Sequence, residues 1–349
     1  MRTENSVKAP RHFYPEKGDQ VAKQLELEVA NFVCRFGDRL VLNDLLNEIV
    51  IPSFFADITR SSRGTEYFFI DQELRYLEGD DVESLALCCR FVKNTTLKRH
   101  QIYSPTKGIV SDERSMDSAP TALAVLLLYS HRLLFVKEVP HAPTMQQFGT
   151  TFKYHMRDAV LDYHSSQLDQ RVRAGEKITK KAIAEQFPIP DVSVTPITSK
   201  EALKTFIARF EILTTLRIEL APTNNELDNE EFFEDAREAK NQVGSSKTTL
   251  IHHHTKGLNK KGVLEHVEAA KQGNLNVEMR GKDKNGDDLK GDNEDFSVKA
   301  TLGTAEVDFD EGVQKAYSRY NELKTAKIVS EGQQQHDYAD KLREAFNLL

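Results

Sequence analysis

The sequence predicts an α+β protein in three parts: an N-terminal antiparallel-sheet domain over residues 1–143, a helical linker over residues 144–190, and a C-terminal mixed α/β layered domain over residues 191–349. Two patterns predict this class. Runs rich in Phe, Tyr, Val, Ile and Leu occur in pairs in the first part, and short β and α segments alternate in the last part. The length of 349 residues suits about two domains of ~100–200 residues each.

In the N-terminal domain we predict two helices followed by two pairs of strands. Apolar residues recur at helical spacing in Lys17–Phe36, and a second helix over Leu40–Ile51 is expected to end at Pro52. The predicted strands are Glu66–Leu77, Leu85–Tyr103, Thr121–Tyr129 and Leu133–Val139. The last two are expected to form a central hairpin, because their continuous apolar character requires burial on both faces.

The linker is predicted as a long helix over Met145–Val172, a break at Arg171–Gly175 and a short helix over Lys180–Phe187. The break is polar and lies between two pattern regimes, so we expect a hinge there. In the C-terminal domain the predicted strands are Val192–Ile197, Thr215–Leu220, Lys247–His253, Asn274–Arg280 and Phe296–Thr301. The predicted helices are Ser199–Phe210, Asn229–Val243, Asn259–Lys271 and Phe309–Lys327. A loosely docked or frayed helix is expected after Val329.

Composition restricts the class of protein. The longest apolar run, Ala119–Tyr129, is shorter than the ~20 residues that a membrane helix needs. Met1–Lys17 is charged and polar and has no apolar signal core. Only three cysteines occur, two of them adjacent, which fits neither a disulfide framework nor a zinc pattern. We therefore expect a soluble, cytoplasmic protein without a cofactor.

Basic residues are concentrated although the net charge is −7. The segment Arg90–Ser111 holds five bases and no acid, and aromatic residues lie between the charges. A second cluster lies in the linker, and a third at the start of a predicted helix. The candidate DNA-binding residues are Arg90, Lys93, Lys98, Arg99, Lys107, Arg171, Arg173, Lys177, Lys180, Lys181, Lys256, Lys260 and Lys261. A run of charges is usually an ordinary solvated face, but three acid-poor clusters in an acidic protein make contacts with nucleic-acid phosphates a candidate function.

Two other classes of function stay open at this point. Asp71 and Glu73, with Glu66 and Lys93 nearby, could hold Mg²⁺ in a nuclease, although their spacing matches no nuclease signature. The acidic segment Asn225–Glu238 could instead engage a basic partner in an interaction scaffold. The sequence contains no Gly-rich phosphate loop, Ser-nucleophile elbow or Cys/His pair placed for catalysis. We therefore expect a non-enzymatic protein.

Two motifs invite a metal interpretation. His252 and His254 share a face of a predicted strand, but no acidic or cysteine partner lies at ligand spacing, so we favour a polar strand end. The segment Asp283–Glu294 resembles an EF-hand loop, but Asp288 stands where that loop requires glycine. Asn285-Gly286 is instead a strong hairpin signal, so we predict a hairpin without metal.

The order of elements resembles the RexA phage-exclusion family. The resemblance lies in the hairpin Leu123–Val139 leading into Ala142-Pro143-Thr144, and in three later segments: Val194–Ile197, Phe206–Phe210 with Thr215–Ile218, and Asn276–Asp283. It spans residues 66–328. It implies a cytoplasmic two-domain homodimer that binds double-stranded DNA with little sequence preference and excludes superinfecting phage, beside a membrane or defence-system partner protein. The DNA-associated subunit of the Kiwa defence system is a second, similarly organised relative.

The leading hypothesis is therefore a homodimeric, non-sequence-specific DNA-binding protein of phage defence. The polar helix Met145–Val172 and the apolar hairpin present surfaces that one subunit does not cover, and closed dimers are the commonest soluble assembly.

Overall fold

The computed structural model describes residues 24–224, 231–268, 274–304, 308–329 and 338–348. Its strands are β1 (Gln24–Phe36), β2 (Leu40–Val41), β3 (Arg60–Ser62), β4 (Thr65–Tyr76), β5 (Leu85–Lys98), β6 (Gln101–Ser104), β7 (Gly108–Ser111), β8 (Ser115–Ser118), β9 (Thr121–Leu127), β10 (Arg132–Lys137), β11 (Asp191–Pro196), β12 (Phe210–Leu220), β13 (Thr249–His253), β14 (Leu275–Asp283), β15 (Asp288–Asp292) and β16 (Lys299–Thr304). Its helices are α1 (Ile51–Phe55), α2 (Met145–Arg173), α3 (Lys180–Gln186), α4 (Lys200–Arg209), α5 (Glu231–Gln242), α6 (Lys260–Val267), α7 (Phe309–Thr325) and α8 (Ala339–Asn347).

A large antiparallel sheet carries the fold. Its main order is β11-β1-β10-β9-β5-β4-β3, with β2 and β16 also on β1 and β8 also on β5. The protein is thus α+β, as the sequence predicts. The predicted central hairpin is β9 and β10, which lie in the middle of the sheet. Two strands of this sheet, β11 and β16, come from residues 191–349, so the sheet extends beyond the part of the chain in which the sequence analysis placed it.

The helix predicted over Lys17–Phe36 is wrong for residues 24–36, which form β1; residues 1–23 lie outside the described part. The apolar residues fit both periods, and strand pairing on both sides of β1 decided between them. Leu25, Leu27 and Val29 pack on one face of the sheet. Phe32 and Phe36 pack on the other. A strand with both faces buried loses the clean alternation that distinguishes it from a buried helix.

Helices cover both faces of this sheet. On one face α2 packs its Phe148, Phe152, Met156 and Val160 side chains against the sheet, together with α1 and α8. On the other face α7 packs a stripe of apolar side chains around Tyr320. The result is a three-layer arrangement in which each amphipathic helix buries its apolar stripe on the sheet.

A second, four-stranded antiparallel sheet has the order β13-β12-β14-β15 and shares a core with α4, α5 and α6. It contacts the edge of the first sheet through polar side chains. The Asn224 amide donates to the Phe32 carbonyl oxygen over 2.8 Å and accepts from the Cys34 amide over 3.1 Å. The Asn31 and Asn274 side chains are joined by a 3.3 Å hydrogen bond. These buried amides satisfy backbone groups that would otherwise lose a partner.

Two further element predictions need correction. The segment predicted as one helix over Leu40–Ile51 contains a 3₁₀ turn at Leu42–Leu45, a π-helical turn at Leu46–Val50 and then α1. Pro52 lies at the start of α1 instead of ending a helix, because the first helical residues need no N–H donor.

The strand predicted over Phe296–Thr301 corresponds in part to β16, which pairs with β1. β14 pairs with β12 and β15. The predicted short helix after Val329 corresponds in part to α8, and residues 330–337 lie outside the described part of the chain.

The linker helix is confirmed as α2, which begins at a capping box of Thr144 and Gln147. Gly149 lets β11 approach this helix, because a Cβ atom at this position would lie 2.7 Å from Val194 Cγ2. Within the described residues, no helix is both long enough and apolar enough to cross a membrane.

Two buried histidines predict a dependence of stability on pH. Burial lowers the pKa of His131 to about 3, with Arg132 adding to the effect, and burial lowers the pKa of His155 to about 4. Below pH 6.5 the unfolded chain binds protons at these positions and the folded chain does not. The free energy of unfolding should therefore fall as the pH is lowered from 6.5 to 4, by up to ~1.4 kcal/mol per pH unit for each histidine. Urea unfolding measured across this range checks the slope.

A His155→Leu variant is the matched comparison. It should reduce proton uptake on unfolding by about one below pH 6. Equal slopes in the variant and the wild type would show that His155 does not contribute.

Candidate nucleic-acid interface

A two-stranded ribbon extends β5 beyond the first sheet. Residues 95–118, here called the β-arm, leave the sheet as β5 pairs with β8, from Thr95 opposite Ser118 to Lys98 opposite Ser115. The ribbon then continues as β6 and β7, which among the described strands pair with each other. From Thr95 to the turn the strand spans about 30 Å.

The turn of the β-arm is set by its sequence. Ser104 and Gly108 pair across a three-residue loop, Pro105-Thr106-Lys107. Gly108 has a φ of +70°, a left-handed conformation that glycine adopts without strain. This is the usual construction of a three-residue hairpin loop. The apolar pattern predicts a single strand up to Tyr103, whereas the chain forms this hairpin. The signal for it is Ser-Pro-Thr-Lys-Gly, a turn sequence between two short β-prone runs.

The β-arm exposes large apolar side chains. Tyr103 is 72% exposed and Ile109 is 65% exposed, and the two lie directly opposite each other across the ribbon. Nearer the sheet, Met116 is 64% exposed and lies opposite Leu97. Large exposed apolar side chains grouped on one element are typical of a binding surface. Sequence reasoning missed these residues because apolar strand residues are normally buried.

The charges of the β-arm are separated along its length. Its outer part, residues 97–111, contains Lys98, Arg99 and Lys107 and no acidic residue. Lys98 and Lys107 are exposed and form no ion pair with any described residue. Arg99 instead forms an ion pair with Asp112, on the returning strand. Two of the three cations are therefore available for an anionic ligand.

The other two bases of this segment do not join them. Arg90 is held by Asp71 and Glu138, each at 3.0 Å. Burial lowers and these carboxylates raise the pKa of Arg90, and the net effect is a raised pKa. Lys93 donates to the His141 carbonyl oxygen over 3.4 Å, on the opposite face of the sheet from Arg90, since three positions separate them in one strand. The five bases of Arg90–Lys107 therefore do not all lie on one face of the sheet.

The second cluster surrounds the junction between α2 and α3. Arg173, Lys177 and Lys180 are exposed, whereas Arg171 donates to the Gln186 side chain over 2.9 Å and Lys181 lies 3.8 Å from Glu185. Lys93, at the base of the β-arm, contacts the loop just before α2, and this cluster lies at the other end of that 29-residue helix. The helix between these two contacts is about 43 Å long.

The third cluster lies on the second sheet. Lys260 donates to the Phe210 carbonyl oxygen, Lys261 lies 3.8 Å from Glu265, and Lys256 is exposed. Phe210 is the first residue of β12. Leu220, at the other end of that strand, lies close to the junction with the first sheet. Lys260 is thus held at the Phe210 end of β12, and Lys256 is the exposed base of this cluster that forms no ion pair with a described residue.

The residues of the nuclease alternative are engaged by neighbours in the first sheet. Asp71 pairs with Arg90, Glu73 pairs with Arg75 at 2.9 Å, and Glu66 accepts from Asn94 over 2.9 Å. Within the described parts of the chain, no three His, Cys, Asp or Glu side chains lie close enough together to hold a metal ion.

The two motifs with a metal interpretation have other structural explanations. The His252 ring packs on His266, and His253 Nδ1 lies 3.0 Å from Thr215 Oγ1. Asn285-Gly286 lies in the turn between β14 and β15, where Gly286 has a φ of +84°. The hairpin prediction is confirmed.

The acidic segment Asn225–Glu238 is described only in part, since residues 225–230 lie outside the described residues.

Residues 167–320 match a family model described as a domain of unknown function, DUF4747. No curated protein matches the chain. The matched region runs from the end of α2 to α7, less than half of the chain, and it excludes the β-arm. The resemblance to the RexA family and to the Kiwa subunit stays a prediction.

Proposed function

We propose that this protein binds double-stranded DNA without sequence specificity and that the β-arm is a principal contact. The observation that carries this proposal is that Lys98 and Lys107 are exposed on the β-arm and form no ion pair with a described residue. The acids of the arm, Asp112, Glu113 and Asp117, lie on the returning strand. A lysine is a point charge that binds a phosphate from many directions. Such contacts supply affinity and register without reading the base sequence.

The cluster at the end of α2 provides a second site for phosphates. Helix α2, which lies between this cluster and the contact of Lys93 at the base of the β-arm, is about 43 Å long, close to the length of 13 base pairs of B-DNA. A duplex of about 30 base pairs is therefore long enough to span that helix. Arg173, Lys177 and Lys180 lie at an exposed helix end and turn, where they can reach a backbone without displacing other contacts.

The resemblance to the RexA family supports the biological part of the proposal. On that basis the protein acts in the exclusion of superinfecting phage, as a homodimer, with a membrane or defence-system partner protein. The Mg²⁺-dependent nuclease is the less favoured proposal, because Asp71 and Glu73 each have an arginine partner in the described structure.

A titration with 30-base-pair duplexes tests DNA binding. Fluorescence anisotropy at rising salt should show a Kd that weakens linearly on a log–log scale, with a slope of about −0.9 for each phosphate contact. Two duplexes of unrelated sequence should give the same curve within about twofold, because phosphate contacts carry no sequence information. Absence of binding at low salt would contradict the proposal, and cleavage in Mg²⁺ but not in EDTA would favour the nuclease.

A further inference from the structure

The geometry of the β-arm points to a wedge that enters the minor groove and opens a base step, with Tyr103 and Pro105 as the inserting side chains. This inference rests on the proposed binding of DNA and specifies how the arm contacts it. The end of the arm offers few groups that read bases. Between Tyr103 and Ile109 there is no Asn, Gln, Arg, Asp or Glu, and the residues there that can contact base edges are Ser104, Thr106 and Lys107.

The end of the β-arm is instead apolar and narrow. Pro105 is exposed in a three-residue loop and has no N–H to donate. Tyr103 and Ile109 lie directly behind it on one face of the ribbon, both largely exposed. Architectural DNA-binding proteins insert apolar side chains, proline among them, between base steps from the minor groove and so bend the duplex.

The charges fit the same placement. Lys107 follows the proposed wedge by two residues, and Lys98 lies on the strand leading to it. A side chain that enters the minor groove lies between two rows of phosphates, where cations on either side of the tip are attracted. A second protein chain is the other possible cover for an apolar ribbon. DNA is favoured because the segment around the turn, residues 97–111, holds three cations and no acid, whereas the acids of the arm, Asp112, Glu113 and Asp117, lie nearer the sheet on the returning strand.

The wedge is tested by measuring DNA bending. A 30-base-pair duplex with a donor and an acceptor dye at its ends should show a shorter end-to-end distance when the wild-type protein binds, because wedges of this kind kink DNA by roughly 20–90°. A duplex with a central mismatch should bind about tenfold more tightly than the fully paired duplex, because less unstacking is needed.

The double variant Tyr103→Ala/Pro105→Ala should lose both effects and keep the salt slope of the wild type, because no phosphate contact is removed. Both side chains are exposed, so folding should be retained. The matched control is Ile251→Ala, which removes a side chain that is 59% exposed on β13; it should bend DNA as the wild type does.

The outcomes separate the two proposals. Binding without bending, or bending by the double variant equal to that of the wild type, would overturn the wedge and leave DNA binding in place. Failure of the wild type to bind duplex at low salt would overturn both. A change of sedimenting mass from dimer to monomer in the double variant would identify the tip as a protein interface and overturn the wedge.

Discussion

Replacing Phe148 with Ala is expected to lower the free energy of unfolding by about 3–5 kcal/mol, the typical cost of emptying a large aromatic site in a core. Phe148 is 1% exposed and is the residue through which α2 contacts several strands of the first sheet at once. Its ring lies within 6.4 Å, centroid to centroid, of the rings of Phe32, Phe69, Phe91, Phe135 and Phe152. Urea unfolding followed by circular dichroism measures the loss.

The control lies on the same helix. Tyr154 is 43% exposed, and Tyr154→Ala should change stability by less than about 1 kcal/mol, because it leaves the core intact. A Phe148→Ala protein as stable as the Tyr154→Ala protein would show that this aromatic cluster is not the element that fixes α2 on the sheet.

Replacing both Lys98 and Lys107 with Ala is expected to make the log–log salt slope for duplex binding shallower by about 1–2 units. At 0.1 M salt this corresponds to a loss of roughly 10–100-fold in affinity, equal for all sequences. Stability should change little, since both side chains are exposed and form no ion pair with a described residue. Arg99, the neighbour of Lys98, is left unchanged in this variant because it already forms an ion pair with Asp112.

The matched control removes two exposed lysines elsewhere, Lys204 on α4 and Lys299 on β16. Its net charge is the same as that of the Lys98/Lys107 variant, so a difference between the two isolates the position of the charge. Identical slopes for both variants would move the DNA contact away from the β-arm, and the cluster at the end of α2 would be examined next.

Much of the secondary structure could be predicted from the sequence, because strong local signals and tertiary packing agree there. The linker helix is one example: its apolar stripe, its capping box and the polar break after Val172 all give the same boundaries. The turn at Asn285-Gly286 is another, since its backbone requires φ > 0 at glycine whatever surrounds it. The paired strands β4 and β5 and the hairpin of β9 and β10 follow from β-propensity and continuous apolar runs.

Strand pairing between distant parts of the chain could not be predicted in this way. β1 fits helical and strand periods alike, and only its neighbours β10, β11 and β16 decide the outcome. Two of these neighbours lie more than 150 residues away, and no local signal reports a partner at that separation. The same holds for β16, which pairs with β1 at the other end of the chain and not with the strands that precede it in sequence.

At the candidate site, the sequence shows which residues are basic, how they cluster and which segments lack acids. Which of these cations are free to bind an anionic ligand depends on the tertiary structure, because folding brings carboxylates next to some of them. Arg90 and Arg99 form ion pairs with carboxylates that lie at least 13 residues away in the sequence. Lys98 and Lys107 form no ion pair with a described residue. The projection of the β-arm is also a tertiary result, because β5 outruns its neighbours β4 and β9 and continues with β8 alone. A charge run shows its composition in the sequence, but its partners and its exposure depend on which strands end beside it.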